Sequence, residues 1–411
     1  MAGDGPARRI PIPDWMTPAS LQHLLDTLGD CRFVGGAPRD TLLGRPVGDL
    51  DLATPLLPEE VIDRLGQAGF RVIPTGLAHG TVTAILPSGP VEITTLRRDI
   101  ATDGRHAAVA FTDDWAADAA RRDFTMNALY LNRTGGIWDP LGHGIDDCLA
   151  GIVRFVGAPG ARIDEDFLRI LRLYRFQAHY GRTPIERETR LACCRRAGKL
   201  SRLSGERIRV ELLKLLQAPA PVPALTALAQ DGVWRKIGLP EPMMLNQLSR
   251  LIRVEPEIDP LRRFASLLRA DPGRAATRLR FSNAQRARLD LMMTGDIPAP
   301  EAPASDHHNA LFKLGSDVYR DLALLSVARG RDPGALGGQI AAAQSWPIPR
   351  LPVRGADLLT LGLKPGPAVS ATLKSVEIWW AGSDFVPNRA ACLEKAKNLI
   401  ENQYPINLNL L

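Results

Sequence analysis

Residues 35–51 read GGAPRDTLLGRPVGDLD, and this stretch decides the fold. The preceding residues, CRFV at positions 31–34, form a short β-rich run that ends at Gly35 and Gly36. Such a run followed by glycines predicts a strand and a turn. Glycines let a backbone approach a phosphate closely, and a turn into a helix offers free N–H groups to an anion. We therefore expect an anion-binding turn at this point.

The remainder of the first 155 residues mixes strand and helix signals. Residues 81–86 and 91–96 are β-rich runs separated by PSGP, which predicts a hairpin. Residues 127–131 and 152–156 are shorter strand-like runs. This part of the chain is predicted to be an α/β head.

After residue 164 the pattern becomes helical. Residues 167–180 and 206–216 are strongly helical, and amphipathic segments separated by proline-rich breaks continue to residue 411. The predicted fold class is therefore α+β, an α/β head followed by an all-α remainder. The predicted domains are a head at 1–155, a helical neck at 156–216, and a helical body and tail at 217–411.

Composition narrows the class of protein. A chain of 411 residues is longer than one compact core usually supports, and 45% of its residues are apolar. The net charge of +6 favours anionic partners. The five cysteines are scattered without C-x-x-C spacing, and no run of apolar residues is long enough for a membrane span. We expect free thiols, a cytoplasmic protein and no contact with a membrane.

Two aspartates close the opening stretch. Asp49 and Asp51 would lie on one face of a β-strand, where they repel each other unless a cation lies between them. Mg²⁺ suits this position, because it takes oxygen ligands and bridges to phosphates. Taken alone, the pair fits a solvated surface better than a metal site. Arg39, which is placed to grip a triphosphate, and the glycine turn lie within the same 17 residues and favour a metal site.

A second group of polar residues follows at positions 121–127. Arg121, Arg122, Asp123 and Asn127 combine cations with hydrogen-bonding groups. A carboxylate and an amide can hold ribose hydroxyls while an arginine faces phosphate. A salt-bridged helix cap is the alternative.

In order along the chain, these motifs resemble those of the bacterial class II CCA-adding tRNA nucleotidyltransferase and poly(A) polymerase family. The matching stretches are residues 35–44, 49–51, 76–82, 91–95, 103–105, 118–128, 165–169 and 206–207, with a weaker match at 353–367. The sequence departs from the family pattern at Pro38 and His143, neither of which is a charged position with an assigned role. The resemblance implies a polymerase β-like nucleotidyltransferase head that uses Mg²⁺.

The resemblance also implies roles for individual residues. Glu92 would join Asp49 and Asp51 as a catalytic carboxylate, with Asp49 and Asp51 as the metal ligands. The implied nucleotide-binding residues are Gly35, Gly36, Arg39, Arg121, Arg122, Asp123, Asn127, Asp166, Arg169, Arg172 and Arg175.

Asp166 and Arg169 are three residues apart in a helical segment, which predicts that they share a face. As an isolated pair they would be a simple ion pair. The resemblance makes them a protein template for the base. Asp166 would accept from the exocyclic amino group of cytosine or adenine, and Arg169 would donate to the ring acceptors. Uracil and guanine present a carbonyl oxygen to Asp166 instead.

The predicted neck is basic, with 14 Lys and Arg against 7 Asp and Glu between residues 162 and 214. Such a concentration of cations suits a phosphate backbone. The expected function is template-independent addition of C and A to the 3′ end of tRNA, from CTP and ATP. A poly(A) polymerase, an A-adding or CC-adding enzyme, and a non-catalytic RNA-binding protein remain alternatives. No protein partner is predicted.

Overall fold

The computed structural model describes residues 5–103 and 106–403 of the chain. Its contacts divide it into two compact units. The first runs up to Met243 and includes Thr277–Arg280, and the second holds Met244–Ala276 and the residues from Phe281 onward. The predicted borders at 155 and 216 both fall inside the first unit, so the three-part division stays a prediction.

Ten strands are formed by the described residues of the first unit. They are β1 (Arg8–Arg9), β2 (Arg32–Val34), β3 (Leu50–Thr54), β4 (Arg71–Gly76), β5 (Thr81–Leu86), β6 (Gly89–Thr95), β7 (Arg97–Asp103), β8 (His106–Phe111), β9 (Tyr130–Leu131) and β10 (Gly136–Trp138). Eight of them form one sheet in the order β1-β10-β9-β2-β3-β6-β5-β4, and β7 pairs with β8 separately. The pairing of β3 with β6 is parallel, whereas the other pairs in the sheet are antiparallel.

Short helices accompany this sheet. They are α1 (Ala19–Leu28), α2 (Gly36–Leu42), α3 (Pro58–Gln67), α4 (Trp115–Ala120) and α5 (Gly144–Ala150). Helix α1 buries Leu21, Leu24, Leu25 and Leu28, whose spacing places them on one face. They join Phe33 and the apolar residues of the strands in one core. This core fixes the ends of β2 and β3, from which the candidate site projects.

The strand predictions are confirmed for the hairpin and only partly for the shorter runs. β5 matches residues 81–86, and β6 begins two residues before its predicted start. Residues 125–127 form a 3-10 turn, so only Tyr130 and Leu131 of the run at 127–131 form a strand. The strand expected at 152–156 is wrong, because Phe155 makes a single bridge to Phe124 and stacks on its ring at 4.9 Å. Apolar residues there fill a core without regular pairing.

The first unit continues with helices that pack against one another. They are α6 (Pro159–Glu165), α7 (Leu168–Tyr180), α8 (Arg187–Arg196), α9 (Gly205–Leu216), α10 (Val222–Gln230) and α11 (Val233–Lys236). Helices α7 and α9 contact each other and confirm the helices predicted at 167–180 and 206–216.

Among the described residues, everything after Trp138 is helix, turn or loop apart from the Phe155 bridge, which confirms the all-α remainder. The later helices are α12 (Leu245–Val254), α13 (Pro260–Leu267), α14 (Pro272–Arg278), α15 (Asn283–Thr294), α16 (Ala304–Leu314), α17 (Ser316–Ala328), α18 (Leu336–Ser345), α19 (Gly355–Thr360), α20 (Pro367–Gly382) and α21 (Arg389–Gln403). Inside the second unit, the fully buried Asp321 binds Arg262 and Arg288. Across residues 5–103 and 106–403, no helix has both the length and the apolar character needed to cross a membrane.

Candidate nucleotide-binding site

A glycine turn joins β2 to α2. Gly35 has a φ of +71°, a left-handed conformation that side chains rarely adopt, and α2 begins at Gly36. A Cβ atom on Gly35 would lie only 3.8 Å from Oδ2 of Asp51. A side chain there would stand in van der Waals contact with that carboxylate, so the glycine keeps this side of the turn open. The expectation that the turn receives an anion stays a prediction.

Arg39 lies on α2 and is buried, although its side chain is charged. Its guanidinium donates to Asn127 Oδ1 and to the Tyr180 hydroxyl, both at 2.7 Å, and forms an ion pair with Asp40. The Tyr180 ring also lies 4.2 Å from the guanidinium carbon. These contacts fix the direction of Arg39, which still contributes to the wall of the cavity described below.

Three carboxylates lie around the start of β3, where it pairs with the middle of β6. Asp51 lies on β3 directly opposite Glu92 on the parallel strand β6. Asp49 is exposed and directly precedes β3, so the expectation that both aspartates lie within one strand is met only by Asp51. Burial, Glu92 and Asp49 raise the pKa of Asp51, while Arg122 opposes the shift. Negative charge thus accumulates here, as in a site that binds a cation.

The carboxylates of Asp49 and Asp51 suit a divalent ion that leaves some of its coordination positions free for the substrate. Within the described parts of the chain, no three His, Cys, Asp or Glu side chains are placed to enclose a metal. Mg²⁺ is typically held by one or two carboxylates together with substrate phosphates, and it needs no closed protein cage. Asp49 and Asp51 beside the open glycine turn meet this requirement.

A cavity of about 520 Å³ opens between these elements. Its lining residues are Gly35, Gly36, Arg39, Asp51, Arg121, Arg122, Asp123, Asn127, Asp166, Leu168, Arg169, Arg172, Phe176 and Arg207. All predicted site residues are among them except Asp49, Glu92 and Arg175. The volume lies in the range of small-molecule sites, and the charged lining suits an anionic ligand.

Asp123 ties two of the cavity elements together. It is buried and accepts from Asn127 Nδ2 at 3.0 Å, from Arg172 Nε at 2.8 Å and from the backbone N–H of Phe124. Burial alone would raise the pKa of Asp123, but the charge of Arg172 and the hydrogen bonds lower it below its usual range. The ionised carboxylate therefore holds Asn127 and Arg172 in fixed positions.

The placement of Asp166 corrects one prediction. It does not lie on a helix with Arg169, because its backbone is extended between α6 and α7. Its Oδ1 accepts from the N–H of Leu168 at 3.0 Å, one of the free donors at the start of α7. Its Oδ2 accepts from Arg207 at 2.7 Å. Asp166 thus acts as a cap, for which a short carboxylate is well suited.

Arg169 lies in the first turn of α7 and takes different partners. It pairs with Glu165 and donates to the backbone oxygen of Arg162 at 2.9 Å. The alternative of a direct ion pair between Arg169 and Asp166 is therefore not what the structure contains. Both side chains nevertheless line the same cavity.

The remaining arginines of α7 separate into two layers. Arg172 lines the cavity, whereas Nε of Arg175 lies 3.0 Å from Oε2 of the buried Glu211 on α9. Sequence reasoning assigned no role to Leu168, Phe176 or Arg207. Arg207 stands within a matching stretch, and Phe176 follows Arg172 by one helical turn. The family match of Arg207 and the helical spacing of Phe176 could have predicted that both residues line the cavity. No such feature of the sequence marks Leu168.

Two residues of a matching stretch, Gly104 and Arg105, lie outside the described residues. The described part of the site indicates the class of protein. A parallel strand pair that carries carboxylates, beside a glycine turn and a cationic cavity, is the site of a nucleotidyltransferase.

Comparisons with known proteins give the family. Residues 31–154 match the model of the "Poly A polymerase head domain", and residues 184–242 match "Probable RNA and SrmB- binding site of polymerase A". The mitochondrial CCA tRNA nucleotidyltransferase 1 of Danio rerio is 33% identical over 377 residues, which cover 87% of this chain and 84% of that protein. The CCA-adding enzyme of Geobacillus kaustophilus is 32% identical, covering 84% and 87% respectively.

A solved structure agrees over nearly the whole chain. The CCA-adding enzyme of Bacillus stearothermophilus in complex with CTP matches with a TM-score of 0.75 and 28% identity, covering 94% of this chain and 99% of that one. The chain therefore belongs to the CCA tRNA nucleotidyltransferase family. Enzymes of this family generally use a divalent metal ion.

Proposed function

We propose that this protein adds C and A nucleotides to the 3′ end of tRNA without a nucleic-acid template, using CTP and ATP and releasing pyrophosphate. The observation that carries the proposal is the single cavity that brings Asp51 and the glycine turn together with Asp166 and Arg169. Its wall offers groups for phosphate and for the base of one nucleotide. The names of the relatives and the CTP complex of the structural neighbour support the same substrates.

Mg²⁺ is the proposed metal, held by Asp49 and Asp51, with Glu92 on the adjacent strand. When bound, it would lower the pKa of the attacking 3′-hydroxyl and offset charge on the leaving pyrophosphate. The carboxylates fix where the ion binds, and Gly35 leaves room for phosphate oxygens next to Asp51.

The cationic wall is proposed to bind the triphosphate. The cavity is approached by Arg39 from α2, by Arg121 and Arg122 from the end of α4, and by Arg172 from α7. Each of these arginines is held by a carboxylate. Preordered cations can stabilise charge in the transition state without reorganising. Asp123 and Asn127 are the proposed partners of the ribose hydroxyls, on the side of the cavity next to Arg172.

Base selection is assigned to Asp166 and Arg169. Arg207 and the N–H of Leu168 hold the carboxylate of Asp166 in position, so that its remaining lone pairs can accept from the amino group of cytosine or adenine. Arg169, braced by Glu165, supplies donors for the ring acceptors. Uracil and guanine would place an oxygen against the carboxylate, which leaves polar groups unmatched.

An exposed basic surface, formed by Arg195, Lys199 and Arg202, is the proposed contact for the tRNA backbone. It lies on α8 and the following 3-10 helix, within the stretch that matches the RNA-binding model. In the described part of the chain these three side chains have no ion pair, so they are available to phosphates.

We place the catalytic head at 1–155, base recognition in the neck at 156–216 and further tRNA contacts at 217–411. The five free cysteines agree with a cytoplasmic location, which we also propose.

The test uses tRNA that lacks its 3′-terminal CCA and supplies each labelled NTP singly and in pairs. Growth by two nucleotides with CTP, and by a third after ATP is added, is the expected result. Addition of A alone, of CC alone or of a long A tract would identify one of the related activities. A protein that binds the tRNA without extending it under any condition would refute the enzymatic assignment.

A further inference from the structure

Asp118 is a buried carboxylate directly behind the cavity wall. It lies on α4 with a relative exposure of 1% and does not line the cavity. Its Oδ1 accepts from Arg121 Nε at 2.8 Å and from the backbone N–H of Arg97 at 3.3 Å. Its Oδ2 accepts from Arg122 Nη2 at 2.8 Å and from the Tyr130 hydroxyl at 2.7 Å.

This division of partners fixes two cavity arginines with one side chain. Each carboxylate oxygen holds one guanidinium, and a second donor on each oxygen prevents the carboxylate from rotating. Tyr130 is buried on β9, where its ring packs edge-on against Trp115 at 5.1 Å. The anchor of this group is therefore the sheet itself, and Arg121 and Arg122 take their direction from it.

The group remains charged throughout the useful pH range. Burial favours the neutral acid, but Arg122, Arg121 and the Tyr130 hydroxyl hold the pKa of Asp118 at about 2. The carboxylate thus cancels one of the two positive charges that face the cavity. If the arginines acted only through their charge, removal of this anion would strengthen binding of a triphosphate.

We propose that Asp118 is a positioning residue for nucleoside triphosphates, because it holds Arg121 and Arg122 in the directions that triphosphate oxygens require. This inference rests on the proposed function of the cavity. Directed donors bind phosphate oxygens better than freely rotating ones, since less side-chain entropy is lost on binding. Positioning therefore predicts weaker binding on loss of Asp118, the opposite of the simple charge argument.

The test compares Asp118→Asn with Asp321→Asn in the full-length protein. Asp321 is an apt control, because it is also fully buried and also holds two arginines, but it lies in the second unit. Equilibrium binding of CTP and of ATP is measured without tRNA, followed by KM and kcat for each nucleotide and a thermal melt. Tyr130→Phe removes the hydroxyl that donates to Asp118 and accepts from Arg122 Nε at 3.4 Å, and it keeps the charge of Asp118.

For Asp118→Asn we expect Kd and KM to rise about tenfold for both nucleotides, the usual order for loss of a charged hydrogen-bonded partner. Tyr130→Phe should cause a smaller rise in the same direction. Asp321→Asn should melt early with unchanged KM, since unfolded molecules lower only the apparent kcat. Unchanged or tighter nucleotide binding by Asp118→Asn would overturn the inference. A wild-type protein that binds neither nucleotide would instead refute the proposed function.

Discussion

Substitution of Asp166 by alanine tests the base-template hypothesis most directly. The carboxylate is proposed both to accept from the amino group of C and A and to repel the carbonyl oxygen of U and G. Its removal weakens the correct contact and relieves the wrong one. We expect the ratio of kcat/KM values between CTP and UTP, and between ATP and GTP, to narrow.

The size of this effect follows from the position of the side chain. A hydrogen bond to a charged group contributes roughly 1.5–3 kcal/mol, or about 10- to 100-fold in selectivity. The Asp166 side chain is 24% exposed, so water can partly replace it and the lower half of that range is expected. Its contact with Arg207 is equally exposed, so loss of that ion pair should cost at most about 1 kcal/mol of stability.

The assay is single-nucleotide incorporation with all four NTPs, beside a thermal melt. Asp166→Asn serves as the matched variant, because its amide retains the shape but adds a donor that suits the oxygen of U and G. Arg169→Ala should instead reduce activity with both correct nucleotides, since it removes a cation from the cavity. A variant of Asp166 that melts early yet still selects C and A as strictly as wild type would refute the template.

Three further predictions concern the metal, the RNA and the buried carboxylate. Asp49→Ala and Asp51→Ala should each lower kcat by about a thousandfold with both nucleotides while the thermal melt stays close to wild type; near-normal turnover in Mg²⁺ would contradict the metal assignment. Affinity for tRNA should fall steeply with salt, and neutral replacements of the basic surface should reduce the slope of log K against log salt by about 2 to 3; an unchanged slope would exclude that surface. The pKa of Asp118 is lowered to about 2, so the ionised carboxylate stabilises the folded state at any pH above the unfolded-state pKa, and this stabilisation is lost as the pH falls towards 2. The unfolding free energies of wild type and Asp118→Asn should therefore converge below about pH 4. A difference that stays constant down to pH 2 in denaturant titrations would contradict this.

Much of the site was predictable because its main groups occur in local patterns. The glycine turn, Arg39 and the aspartate pair lie within 17 residues, so strand and turn geometry alone brings them together. The helical runs that became α7 and α9 were equally clear, because their apolar residues recur with the helical period.

The predictions that were wrong concern residues for which local and tertiary contacts compete. Asp166 was expected on a helical face, but its carboxylate caps the start of α7 instead. The run at 152–156 has strand-like composition, yet Phe155 is used for packing against Phe124. Hydrophobic periodicity cannot separate a buried strand from a buried irregular segment of the same length.

The partners that hold the site residues were beyond sequence reasoning, since they come from distant positions. Arg39 is bound by Asn127, which is bound by Asp123, and Asp123 is bound by Arg172. Arg172 then approaches Glu211 on α9 at 3.7 Å. This chain of contacts joins the turn that is proposed to receive phosphate to the helices that are proposed to receive the base. Because neighbouring side chains in this chain of contacts share their partners, removal of one side chain leaves a polar or charged group of its neighbour buried without a hydrogen-bond partner. The arginines that face the cavity therefore owe their positions to carboxylates, several of which would never touch a nucleotide.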